Sequence, residues 1–95
     1  MNVIGKPNLV EAALSTTNPQ LVEKTARWYG LAVKNNFANF VELQQVFPSA
    51  DLVGDKVVFN LGSYRLICGV SFVRSTFYFK ALLSHAEYDQ GGWKS

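Results

Sequence analysis

The sequence predicts an α+β fold in which N-terminal helices pack on one face of a small antiparallel sheet. Three observations carry this expectation. Apolar residues recur at intervals of three and four as far as Phe47, whereas the chain after Asp51 is rich in Val, Phe, Tyr and Leu and is punctuated by turn residues. The 95 residues, 48% of them hydrophobic, match one ordinary core, so a single domain over 1–95 is expected.

Leu9, Val10, Ala13 and Leu14 mark a first amphipathic helix. A second starts at Asn18-Pro19, a capping residue followed by proline at the first helical position. It carries Leu21, Thr25, Trp28, Tyr29 and Ala32 along one stripe to about Lys34, with Glu23 and Arg27 spaced as a surface pair. Trp28 and Tyr29 are assigned to packing rather than to base stacking. Asn35-Asn36 ends this helix. Asn39 and Glu42 have the form of a capping box, and Phe40, Leu43, Val46 and Phe47 form the stripe of a short third helix that Pro48 stops.

Turn residues at Gly54-Asp55, Gly62-Ser63 and Arg74-Ser75 divide the remainder into strands near 56–61, 64–73 and 76–84. Gly62-Ser63 has the chemistry of a two-residue type II′ turn, which sets Leu61 opposite Tyr64, Asn60 opposite Arg65, Phe59 opposite Leu66 and Val57 opposite Cys68. Symmetry about Arg74-Ser75 sets Phe72 opposite Phe77, Val70 opposite Phe79, Gly69 opposite Lys80 and Arg65 opposite Ser84. One face then gathers Val57, Phe59, Leu66, Cys68, Phe77, Phe79, Ala81 and Leu83 beneath the helices. The other gathers Lys56, Arg65, Tyr78, Lys80, Leu82 and Ser84, with Gly69 leaving room beside Lys80 for an approaching ligand. The tail after Tyr88 is read as loose.

A formal charge of +2 is too small for indiscriminate polyanion binding, but residues 1–51 are neutral and the excess falls in the C-terminal half. One cysteine excludes an internal disulfide, and Cys68 faces the core as an inert thiol, which suits a reducing cytoplasm. No signal-peptide core follows Met1, and the longest near-apolar run, Leu66 to Val73, falls far short of a membrane span, so a soluble cytoplasmic protein is expected. One His and one Cys cannot assemble a structural zinc site, and no phosphate-binding glycine loop precedes a helix, so neither metal nor cofactor is expected.

What remains is a cationic, hydroxyl-bearing sheet face with His85, Tyr88 and Asp89 at its end. Arg65 and Lys80 have the chemistry to grip phosphates, and His85 to transfer protons near neutral pH. From the residues alone the plainer alternative stays open: cations on an exposed sheet face are usually just solvated, and a lone histidine at a strand end more often bonds the backbone than catalyses.

The stretch Val57-Val58-Phe59-Asn60-Leu61-Gly62-Ser63-Tyr64-Arg65-Leu66-Ile67, followed after the next strand by Ser84-His85-Ala86-Glu87-Tyr88-Asp89, resembles the HigB family of toxins from bacterial type II toxin–antitoxin pairs. Phe47-Pro48-Ser49-Ala50-Asp51 extends the likeness, and the N-terminal helices match in order and length. The resemblance implies a RelE-like fold and an mRNA interferase, an endoribonuclease acting on messages during translation and neutralised by a helix-turn-helix antitoxin of the HigA type. It further implies that Arg65 contacts the scissile phosphate and that His85 and Tyr88 lie at the catalytic end. The strand register adds Lys80 to that group, and Lys56, Arg74 and Tyr78 are expected as further RNA contacts together with Arg65. RNA carries its own nucleophile, the 2′-hydroxyl, so such a site needs no metal. Two readings from other classes compete: a non-catalytic RNA- or protein-binding module, and an inactive toxin retained as an antitoxin partner.

Overall fold

In the computed structural model, which describes residues 1–94, the chain begins with a short strand β1 (Asn2–Ile4) and the helices α1 (Lys6–Ser15), α2 (Pro19–Lys34) and α3 (Phe40–Val46). Strands β2 (Asp51–Val53), β3 (Lys56–Leu61), β4 (Tyr64–Ser71) and β5 (Thr76–Ser84) follow, then α4 (His85–Gln90) and a 3₁₀ turn (Gly92–Lys94). The helix starts follow local chemistry. Asn18 Oδ1 accepts from the backbone N–H of Gln20 at 3.1 Å and of Leu21 at 3.2 Å, with Pro19 in the first turn of α2. Asn39 Oδ1 accepts from Glu42 N at 3.0 Å, while Glu42 Oε1 reaches back to Ala38 N, one residue before the usual capping-box partner. The Glu23–Arg27 pair forms on the exposed side of α2, at 3.4 Å.

The sheet has five strands in the order β1-β5-β4-β3-β2. Its β3–β4 hairpin has the register expected from Gly62-Ser63: Leu61 opposite Tyr64, Asn60 opposite Arg65, Phe59 opposite Leu66 and Val57 opposite Cys68. Gly62 takes φ +66, the left-handed value that the turn demands. Two strands go beyond the three expected. Residues Asp51–Val53 pair antiparallel with Val58–Lys56, and Asn2–Ile4 pair in parallel with Thr76–Tyr78, so the sheet is mixed. Strand β1 is held by long-range contacts. The backbone nitrogen of Met1 donates to Ala32 O at 2.9 Å and also to Asn35 O and Asn36 Oδ1, covering carbonyls at the C-terminal end of α2. Gly5, at φ +93, then turns the chain into α1, and a Cβ there would stand 3.1 Å from Phe79 Cβ.

The β4–β5 pairing corrects the sequence reading. Val70 lies opposite Phe77, Gly69 opposite Tyr78 and Cys68 opposite Phe79, two residues away from symmetry about Arg74-Ser75. The reason is the turn: Phe72–Ser75 are all turn residues, and Ser75 takes φ +49. A shift between Ile67 and Cys68 then leaves Lys80 as an extra residue on β5, so that Ile67 pairs Ala81 and Arg65 pairs Leu83 rather than Ser84. This bulge reverses the faces beyond it. Leu82 packs on the core, whereas Ala81 lies opposite Ile67 on the outer face, the opposite of the expected alternation.

The core lies between the helices and the inner sheet face. Phe77 and Phe59 are at its centre, with ring centroids 5.6 Å apart, and Trp28 sits 5.3 Å from Phe59 and 5.7 Å from Phe77. Trp28 is thus a packing residue, and Tyr29 lies under Lys6 Nζ at 4.5 Å. No helix among the described residues is long and apolar enough to cross a membrane.

Burial ranks the two β5 phenylalanines: Phe77 is 0% exposed and Phe79 only partly buried. Phe77→Ala is expected to destabilise by about 3–5 kcal/mol and Phe79→Ala by less, measured by urea unfolding; equal losses would contradict this ranking.

Candidate active site

The outer face is built from residues that alternate with the core set: Lys56 on β3, Arg65, Ile67 and Gly69 on β4, and Tyr78, Lys80 and Ala81 on β5. Alternation also places Val58 there, and both Val58 and Ile67 are buried, so this face is partly covered. Cover comes from the end of the chain. The tail after Tyr88, expected to be loose, instead completes α4 and forms a 3₁₀ turn, with Trp93 lining the same shallow pocket as Ile67, while Ser95 lies outside the described residues.

Helix α4 starts on a complete capping box. Ser84 Oγ accepts from Glu87 N at 3.3 Å and Glu87 Oε1 accepts from Ser84 N at 3.0 Å. The spacing Ser84-x-x-Glu87 was the local signal for this helix, and it places His85, Tyr88 and Asp89 on one helical face. The hydrogen bonds from Ser84 hold the Glu87 carboxyl below the ordinary carboxylate range.

Two of the expected catalytic residues are tied to the Gly62-Ser63 turn, Arg65 through its side chain and His85 through its backbone. Arg65 Nη1 donates to Gly62 O and Tyr64 O, both at 3.0 Å, leaving the other guanidinium donors available. The backbone N–H of His85 donates to Ser63 O at 3.0 Å. Successive carbonyls of one tight turn therefore anchor the arginine fork and the start of α4. The His85 ring is exposed, with Nε2 3.4 Å from Asp89 Oδ2. Asp89 is thus a partner of the imidazole that the sequence reading had placed nearby without a role. Tyr88 stacks on Trp93, with centroids 5.0 Å apart and planes at 15°.

Lys80 is not beside Arg65. Arg65 pairs Leu83, three residues on from Lys80, which separates their backbones by roughly 10 Å along the strand. The Lys80 side chain also runs the other way, over Gly69, where a Cβ would lie 3.4 Å from Lys80 Cε. The space expected at Gly69 is therefore filled by Lys80 itself. Lys80 shares its pocket with Lys56, which is held 3.3 Å from Asp55 Oδ1. The hydrogen bond from Lys56 lowers the Asp55 carboxyl. Tyr78 lies opposite Gly69 beside this pocket, but Arg74 is in the far turn, past the other end of β4 and roughly 20 Å from Arg65.

Cys68 is fully buried, and burial pushes its thiol up, so it is inert at neutral pH. Among the described residues no three metal-ligating side chains converge. The apolar groove between α1 and α2, about 280 Å³, holds Lys6 and Tyr29 but neither histidine nor carboxylate.

Residues 22–91 match the family described as HigB_toxin, the RelE-like toxic component of a toxin-antitoxin system. The chain belongs to the HigB toxin family. Both motifs, the hairpin with Arg65 and the helix with His85 and Tyr88, fall within the matched residues. No curated relative matches the chain. As a HigB-family toxin it has an antitoxin partner, and its α+β architecture is the RelE-like one.

Because Glu87 titrates lower in the folded than in the unfolded chain, the box stabilises α4 fully above the ordinary glutamate value of 4.5 and loses this as pH falls through the depressed folded value. An NMR titration of the Ser84 amide is expected to show a midpoint below 4.5, and Ser84→Ala, which removes the hydroxyl but keeps the backbone N–H that Glu87 accepts from, to raise it only part of the way; a midpoint at or above the ordinary value in the native toxin would contradict the box.

Proposed function

We propose that this HigB-family toxin is an endoribonuclease that cuts messenger RNA at the Arg65–His85 end of the outer sheet face. The supporting observation is the shared anchoring of these two residues on Gly62 O and Ser63 O. A guanidinium with donors to spare and a histidine with an exposed ring are tied to one tight turn, and these two groups can supply the charge neutralisation and proton transfer that phosphodiester transfer uses.

The chemistry needs only these groups and the RNA. The 2′-hydroxyl attacks the adjacent phosphorus, its proton leaves, and the 5′-oxygen departs with a proton, giving a 2′,3′-cyclic phosphate. Arg65 neutralises charge on the non-bridging oxygens, for which a planar fork is well suited. His85 moves a proton, and Asp89 orients its ring and stabilises the imidazolium. Tyr88, three residues along the same helical face, orients the sugar. Lys80 and Lys56 contact the RNA one step away from the cut rather than at the scissile phosphate, with Tyr78 beside them; Arg74 meets RNA only outside this site. In this reading one domain spanning the chain carries the activity in the cytoplasm, the message is cut on the translating ribosome, and the antitoxin is a helix-turn-helix protein.

Expression of the chain alone is expected to arrest growth and deplete messenger RNA, and co-expression of the antitoxin to restore growth. Arg65→Ala and His85→Ala are each expected to lower cleavage by about 10² or more with the fold retained. Mapped products should end in 2′,3′-cyclic or 3′-phosphate. Products with 3′-hydroxyl and 5′-phosphate ends would overturn the chemistry; full cleavage by both folded variants would overturn the residue assignment.

A further inference from the structure

The outer face carries a second feature, distinct from the Arg65–His85 pair. A shallow pocket of about 400 Å³ opens beside the bulge, with Lys56, Lys80 and Asp55 supplying charge, Ile67, Gly69 and Ala81 its floor, and Trp93 one wall. Its size suits one nucleotide. The indole wall is held in place by its own chain. Gly91, at φ +75, ends α4 and donates to Tyr88 O at 3.1 Å, and Trp93 Nε1 donates to the same oxygen at 2.9 Å. The ring then stacks on Tyr88, 5.0 Å away and nearly parallel. Two hydrogen bonds to one carbonyl and a ring stack fix the indole against the tyrosine of the reactive helix, next to two lysines.

We propose that this pocket binds one nucleotide of a single-stranded RNA next to the cleaved bond, with Trp93 as the surface on which its base stacks and Lys80 and Lys56 holding its phosphate. Every base has an apolar face, so an aromatic wall beside cations grips RNA without reading its sequence. Asp55, bonded to Lys56 and with its carboxyl lowered, keeps that ammonium directed along the rim. The bulge supplies the geometry: it sets Lys80 and Ala81 together on the outer face, with Lys80 lying over Gly69, so the cation borders the pocket while the small alanine keeps it open. This inference rests on the ribonuclease reading of the adjoining residues, with Trp93 as a positioning residue for the same substrate.

The test uses the full-length toxin and a short single-stranded oligoribonucleotide whose 2′-hydroxyls are methylated, so that it is bound but not cut. A 2-aminopurine probe is placed at successive positions, and affinity is measured across a salt series. Trp93→Ala is expected to weaken binding by about 5- to 150-fold and to abolish the stacking quench at one probe position. Trp93→Phe, which keeps a ring there, retains most of the affinity. Lys80→Ala is expected to flatten the slope of log affinity against log salt by about 0.7, the share of one phosphate. Fluorescence of Trp28, the remaining tryptophan, confirms that Trp93→Ala is folded. Unchanged binding by Trp93→Ala, or tighter binding, overturns the pocket; if Arg65→Ala still loses cleavage, the ribonuclease reading survives that failure. A wild-type toxin that binds RNA through Trp93 but cuts no translated message supports the pocket and overturns the ribonuclease reading. Absence of any binding by the wild type overturns the pocket outright.

Discussion

The central strand governs this architecture. Leu66, Ile67 and Cys68 follow one another on β4 and are each 0% exposed, so the strand must be covered on both faces. Burying a side chain such as Ile67 contributes roughly 1.5–3 kcal/mol, enough to recruit a cover of modest size. On the inner face the helices supply it through Trp28, Phe59 and Phe77. On the outer face Trp93, in the turn that follows α4, borders the shallow pocket that Ile67 also lines. The same C-terminal segment carries His85, Tyr88 and Asp89 on α4.

The bulge at Lys80 is the second determinant. A regular ladder would have continued strict alternation, leaving Ala81 inward and Leu82 in solvent. One extra residue lets Leu82 return to the core and leaves Lys80 and Ala81 side by side outside. The site gains a lysine with a small neighbour, and the core keeps its leucine. Bulges are common where a strand has to re-aim a side chain, and here the re-aimed group is a cation on a functional face.

Charge is distributed rather than abundant. The net value is only +2, yet Lys56, Arg65 and Lys80 all project from one side of the sheet. Part of that charge is offset locally: Asp55 lies against Lys56, and Asp89 against His85. Such a face is suited to holding a few phosphates in defined positions more than to a long-range field, since exposed charges are screened beyond about 8–10 Å at ordinary ionic strength.

Much was legible in the sequence because its signals are local. Asn18-Pro19 and Asn39 start helices through their own side chains, Gly62-Ser63 folds one hairpin by backbone preference, and the Arg65 and His85 motifs identify the family. The capping box at Ser84–Glu87 is an equally local signal. What only the tertiary structure decided depends on contacts between distant residues, whose pairing no local pattern encodes. Strand β1 has three residues and exists because Met1 and Asn2 find partners at Ala32 and Ser75. The bulge leaves Leu66 opposite Leu82 on the core face, a pairing that alternation within β5 cannot express. The pairing of Arg65 with Leu83 and the placement of Lys80 and Ala81 together on the outer face follow from that bulge, because side-chain placement on a sheet is set by register.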